Sequence, residues 1–138
     1  MLDSSAVDRL NERGKNTMVE YLGIEITEVG KDFIKGKMPV DHRTQQPLGL
    51  LHGGANVVLA ETLGSIAANE VIDIKKQYAV GLEINANHLK SARDGYVYGT
   101  TRPIHLGRKT QVWEIRIENE NGDLTCISRL TMAVMDRK

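Results

Sequence analysis

The sequence predicts an α+β domain in which an antiparallel sheet curls around one long central helix, and three observations lead there. From about His52 to Ile72 the chain reads as a helix whose apolar residues, Val57, Val58, Leu59 and Leu63 among them, leave almost no polar face. Six other segments alternate with a period of two and are separated by turn residues. The order is a helix, two strands, the long helix and four strands, without βαβ repetition. A helix apolar all round, beside a sheet dry on one face, is most simply buried by the sheet wrapping it. With 138 residues, the chain is expected to form one domain, residues 1–138, of which 1–21 is an N-terminal helical segment.

Each element has its own justification. Ser4 or Ser5 is positioned to cap a first helix running to about Tyr21, with Val7, Leu10, Met18 and Tyr21 as its apolar side and Gly14 as a weak point. Ile24, Ile26, Phe33, Ile34 and Met38 then predict a hairpin that turns at Val29-Gly30-Lys31-Asp32, and Pro39 ends its second strand. In the central helix, Ala60, Gly64, Ala67 and Ala68 recur near four-residue spacing and permit close backbone approach. Four strands follow: Tyr78 to Leu89, Gly95 to Pro103, Lys109 to Glu118 and Leu124 to Met135, with Asn121-Gly122 the sharpest hairpin signal. Trp113, Ile115 and Ile117 share one face of their strand, and Glu114, Arg116 and Glu118 the other, so one side of the sheet is dry and one wet.

Composition narrows the function. Eighteen basic residues balance 18 acidic ones, which gives no support to a global nucleic-acid or membrane-surface role. No apolar stretch approaches the ~20 residues needed to span a bilayer, and a soluble cytoplasmic protein is expected. The single cysteine, Cys126, lies in a strand-like run and reads as a buried structural thiol. His42, His52, His88 and His105 lack metal-ligand spacing, and neither a Walker loop nor a dinucleotide fingerprint occurs.

The most informative residue is Glu61, the sole charge between Arg43 and Glu70. A carboxylate in the middle of a buried helix costs several kcal/mol to desolvate unless it is paired, which points to chemistry or to a hidden partner. Around it stand the loop Gln46-Pro47-x-Gly49-x-x-His52-Gly53-Gly54, the helical run Ala60-Glu61-Thr62-x-Gly64-Ser65, and the later stretches Asn85-Ala86-Asn87-His88 and His105-Leu106-Gly107-Arg108. With these four motifs in this order, from about Leu22 to Met135, the chain resembles the hot-dog-fold acyl-CoA thioesterases. It is similar in particular to the branch containing 1,4-dihydroxy-2-naphthoyl-CoA hydrolase of menaquinone synthesis and the proofreading thioesterase of enterobactin synthesis.

The resemblance implies a hot-dog fold that dimerises, often into dimers of dimers, and hydrolysis of an aryl-CoA thioester to free acid and coenzyme A. Naphthoyl is the first acyl group it suggests, followed by benzoyl-type, phenylacetyl-type and carrier-protein-linked aryl thioesters. No cofactor is implied, since coenzyme A is part of the substrate. By position, Glu61 becomes the catalytic carboxylate, Gly53 the backbone N–H donor to the thioester carbonyl, Gln46 and His52 supporting polar groups, and Ser65 a group that positions water or the carboxylate. Val80 would line the pantetheine channel. Asn87, His88, Leu89 and Lys90, with the turn of His105, Leu106, Gly107, Arg108 and Lys109, would bind the coenzyme.

Taken as residues alone, several of these positions admit plainer readings. His52 can be a helix-start residue satisfied by backbone, Ser65 can bond its own helix carbonyls, Gly53 and Gly54 can be turn glycines, and Gln46 can be a solvated loop side chain. Between His88 and Lys109, five basic residues (Lys90, Arg93, Arg102, Arg108, Lys109) face one acid (Asp94), a balance suited to phosphates or to solvated strand ends. Leu48, Leu50, Val57, Val58 and Met18 are the apolar candidates for the acyl pocket. Two rival functions, a hot-dog dehydratase or hydratase and a non-catalytic acyl-CoA binder, fit less well. The first needs a histidine directly before a Pro-Gly turn, whereas His42 precedes Arg43-Thr44-Gln45, and the second has no use for an acid in the helix. Finally, Gly53 and Glu61 lie eight residues apart, ~12 Å along one helix, too far to serve one carbonyl. Two such helices antiparallel across a two-fold axis would bring Gly53 of one chain beside Glu61 of the other, predicting a homodimer with shared sites.

Overall fold

The computed structural model describes residues 2–138. Two short helices, α1 (Val7–Arg13) and α2 (Met18–Tyr21), precede strands β1 (Glu25–Val29) and β2 (Ile34–Pro39). The long helix α3 (Gly53–Glu70) follows, and then β3 (Gln77–His88), β4 (Tyr96–Leu106), β5 (Thr110–Glu118) and β6 (Leu124–Asp136). All strand pairs are antiparallel, in the order β1-β2-β4-β5-β6-β3. The sheet wraps α3, the α+β hot-dog arrangement that the resemblance implies.

Several sequence expectations need correction. The first helix is not continuous to Tyr21: Gly14 ends α1, Asn16 takes a positive φ of 62°, and Thr17 starts α2 by accepting the Val19 N–H at 3.2 Å. Neither Ser4 nor Ser5 caps α1, whose N-cap is Ala6; Ser5 instead hydrogen-bonds Asp3. The fourth strand does not stop at Pro103. A register shift between Pro103 and His105 lets β4 run on to Leu106, because a bulge absorbs the missing proline N–H.

The sheet receives α3 through glycines. Gly36 and Gly99 are paired across β2 and β4, and Leu63, fully buried, fills the groove between them: a Cβ would lie 2.8 Å from Leu63 at Gly36 and 2.7 Å at Gly99. Gly64 allows the same closeness to Leu130. On the dry face Trp113, Ile115 and Ile117 are fully buried as predicted. The Trp113 Nε1–H donates to Gln111 Oε1 at 2.8 Å, and Gln111 Nε2 donates to the Ala68 carbonyl at 3.4 Å, so the buried polar atoms tie β5 to the helix. We expect Gly99→Val to cost about 1–3 kcal/mol by overpacking Leu63. Urea unfolding checks this, and an unshifted midpoint would show that the groove does not seat the helix.

The helix is not apolar and buried all round. Buried pairs (Leu59–Ala60, Leu63–Gly64, Ala67–Ala68) alternate with half-buried pairs (Glu61–Thr62, Ser65–Ile66, Asn69–Glu70). The sheet can cover only one side of a helix, so within the single chain Glu61 stands on the half-exposed side. The two sheet edges differ. β1 is sealed by α1, where Asn11 exchanges hydrogen bonds with both backbone groups of Ile26, at 2.8 and 2.9 Å. β3, 12 residues long, pairs among the described residues only with β6 and leaves its other edge without a strand, with Val80 and Leu82 exposed. Among the described residues no helix is long and apolar enough to cross a membrane.

Candidate active site

Four of the predicted catalytic residues fall into two separate clefts, and His52 lines neither. The first, about 470 Å³, contains Glu61 and Ser65 with Arg13, Thr17 and Asn69, walled by Leu10, Val19, Ile26 and Ile66. Glu61 joins no ion pair among the described residues. Its carboxylate rests on the β3 backbone at Gly81, where a Cβ would come within 2.9 Å of Oε2. Glycine at 81 is what makes room for it. The Ser65 Oγ–H donates to the Met132 sulfur at 3.9 Å and bonds no helix carbonyl, and Ser65 lines the same cleft as Glu61. Asn69 fixes helix to strand beneath them, accepting the Ala79 N–H at 2.9 Å and donating to the Ser65 carbonyl at 2.9 Å.

The second cleft, about 360 Å³, gathers Gln46, Leu50, Gly53, Asn56, His88, Leu89 and Lys90 at the start of α3. His52 is the helix N-cap, its Nδ1 accepting the Gly54 N–H at 2.8 Å. The plainer reading of His52 thus describes its contacts. Gly53 and Gly54 are not turn glycines, since neither has positive φ. They are small because two imidazoles pack on them: a Cβ would lie 3.0 Å from His88 Nε2 at Gly53, and 3.0 Å from His52 Nδ1 at Gly54. The Gly53 N–H has no acceptor among the described residues. A free N–H at a helix N-terminus, backed by the helix dipole, suits a developing oxyanion.

The loop before the helix is tightly held. Gln46, which lines the cleft, donates its N–H to the Leu50 carbonyl at 2.8 Å while its side-chain oxygen accepts from the Leu48 N–H. At the loop's start the Arg43 guanidinium, hydrogen-bonded to Asp41, lowers that carboxyl to about 2. Lys90 pairs with Asp123 at 2.8 Å and, with Asn119, holds its carboxyl below the usual carboxylate range.

The basic residues do not form the single cluster suggested by their spacing in sequence. Arg102 pairs with Asp32, and Lys90 lies by the β5–β6 turn at the His88 end of β3. Arg108 and Lys109 occupy the β4–β5 tip with His105, whose ring folds over Gly107. That tip is at the opposite end of the sheet, where Val134, the cross-strand neighbour of Ala79, donates to the Lys109 carbonyl. Antiparallel topology separates what sequence placed within 20 residues. Val80, at the tip end, and Asn87, at the other, are exposed on β3. The acyl-pocket candidates also change. Leu48 and Met18 are exposed and Leu50 lies in the second cleft, while the walls beside Glu61 come from α1, α2, β1 and Ile66. Asn56, Asn69 and Gly81 were not singled out from sequence; a polar Asn56 in an apolar run was the available signal.

Fold and residues together define a class. Residues 48–126 match the family model of the thioesterase superfamily. The chain is 51% identical to the 1,4-dihydroxy-2-naphthoyl-CoA hydrolase of Escherichia coli, over 94% of each chain. It is 50% identical to the proofreading thioesterase EntH of Cronobacter turicensis, over 94% of this chain and 93% of that one. Among solved structures, a mutant thioesterase of Pseudomonas aeruginosa superposes with a TM-score of 0.94 at 49% identity, covering 95% of this chain and 94% of that one. The chain belongs to the thioesterase superfamily, and its reaction class is thioester hydrolysis.

Proposed function

We propose that the protein hydrolyses an aryl-CoA thioester, with 1,4-dihydroxy-2-naphthoyl-CoA as first choice, through sites shared between two copies of the chain. The observation that carries this reading is Glu61, a carboxylate in no ion pair among the described residues, seated on Gly81 in a cleft with largely apolar walls. Glu61 acts as the base that takes a proton from water, or as the nucleophile that forms a mixed anhydride and expels the thiolate of coenzyme A. Gly53 stabilises the oxyanion, Gln46 and His52 support the carbonyl, and Ser65 orients water or carboxylate. No cofactor enters the reaction. The walls of Leu10, Val19, Ile26 and Ile66, with Arg13 and Thr17 among them, favour a flat apolar acyl group bearing polar substituents. The 51% identity to a naphthoyl-CoA hydrolase supports the first choice.

The bare β3 edge supports the shared site. Self-pairing of one edge strand about a two-fold axis must be antiparallel. Within one chain Glu61 touches Gly81, and Gly53 touches His88. An axis near Ile84 and Asn85 sets Gly81 level with His88 of the partner subunit. Glu61 then faces the partner subunit's Gly53, and the Arg108–Lys109 tip approaches the partner subunit's Lys90. Both the catalytic set and the phosphate-binding charges, split within a chain, reunite across the axis.

The test is release of free thiol from a panel of aryl and aliphatic CoA thioesters. The reading requires kcat/KM to be highest for aryl esters and fails if none releases thiol or if aliphatic esters are preferred. Lys90→Ala or Arg108→Ala should raise KM for CoA esters about tenfold, by loss of a charge-assisted phosphate contact. A truncated thioester lacking the nucleotide should be unaffected, and equal losses on both substrates would remove these residues from the coenzyme site.

A further inference from the structure

Asn56 is a polar residue of α3 to which the proposed reaction gives no role. It sits on the first turn of the helix, only 5% exposed, with Nδ2 3.3 Å from Nδ1 of His88. Its Oδ1 is buried without a hydrogen-bond partner. Such an orphan is destabilising and demands a reason. As placed, the amide nitrogen, which can only donate, faces Nδ1; turning it over would leave both of its N–H donors without an acceptor instead of one of them. The amide nitrogen therefore donates to Nδ1, and neutral His88 carries its proton on Nε2. That nitrogen is the one packed against Gly53, whose own N–H is free.

We propose that Asn56 is a positioning residue that holds His88 over Gly53 in the Nε2–H tautomer, so that the His88 Nε2–H and the Gly53 N–H serve as paired donors to the thioester carbonyl. This rests on the thioesterase reading of the cleft and adds a second oxyanion donor to it. The orphaned Oδ1 is the cost of aiming the amide nitrogen at the ring. The other titratable groups at the cleft do not compete for Nδ1: His52 accepts from Gly54, and Lys90 pairs with Asp123. No carboxylate lines it among the described residues.

Asn56→Asp tests the idea, since it exchanges a donor for an acceptor of the same shape. The carboxylate takes the Nδ1–H, so the neutral ring loses its Nε2 proton, whereas the imidazolium keeps both. Long-range ¹H–¹⁵N spectra of the full chain at about pH 9, well above the ordinary histidine range, should show His88 protonated on Nε2 in the wild type and on Nδ1 in the variant. With benzoyl-CoA, kcat of the variant should fall about 10- to 100-fold at that pH and recover as the ring gains its second proton, with KM moving less than kcat. The wild type should lack that limb. A wild-type spectrum with the proton on Nδ1 overturns the proposal, even if the variant fails to fold. An equal loss of kcat at every pH also overturns it, since a merely structural role would give that result. The spectra need no substrate, so an absence of thioester hydrolysis in the wild type would sink the thioesterase reading while the tautomer question was still decided.

Discussion

Glu61→Gln is expected to leave the fold intact and lower turnover of an aryl-CoA thioester by at least ~10². The amide keeps the shape of the carboxylate and its room against Gly81, but it can neither take a proton from water nor attack a carbonyl. Because Glu61 is half-exposed and outside any ion pair, neutralising it removes no structural partner, so the melting temperature should hold or rise. KM should change little if, as proposed, Leu10, Val19, Ile26 and Ile66 hold the acyl group and other residues hold the coenzyme. Near wild-type turnover in purified Glu61→Gln would remove this carboxylate from the mechanism. A fall in stability equal to the fall in rate would mean that it supports the fold instead.

Sequence identified Glu61 for a reason that the structure revises. A lone acid in an apolar run suggested burial, yet in one chain the carboxylate is half-exposed, because a sheet covers a helix on one side only. The apolar residues on the same side, Val57, Val58 and Ile66, are likewise only half-buried. The sheet was legible wherever alternation was clean, as at Trp113, Ile115 and Ile117, and the hairpin at Asn121-Gly122 forms with Gly122 at φ +81°. Gly14 was legible as a weak point, but the break itself was not, since Asn16 and Thr17 act through backbone geometry that helix periodicity cannot report. Nor was the separation of Lys90 from Arg108, which depends on strands running in opposite directions between them. Asn56 was visible as a polar residue in the apolar run, but only its contact with His88 gives it a role.

Mixing two inactive chains is expected to restore about a quarter of wild-type sites. One chain carries Glu61→Ala. The other carries Gln46→Ala with His52→Asn, the asparagine preserving an acceptor for the Gly54 N–H so that the helix cap survives. If Glu61 works with the partner subunit's Gln46 and Gly53, each mixed dimer gathers every lesion into one site and leaves the other whole. Random refolding makes half of the dimers mixed, and one site in two of those is intact. If each chain builds its own site, every site carries a lesion and activity stays at background. The geometry within one chain argues for the first outcome, because Glu61 and Gly53 open into different clefts, separated by ~12 Å of helix, and a glutamate side chain cannot span that. Charged substitutions on the bare edge, Val80→Lys with Leu82→Lys, supply the control: they should block self-pairing of β3, yield monomers by sedimentation and abolish complementation. Background activity in the mixture, with mixed dimers demonstrated by mass, would refute the shared site. Full activity in a monomer would refute it as well.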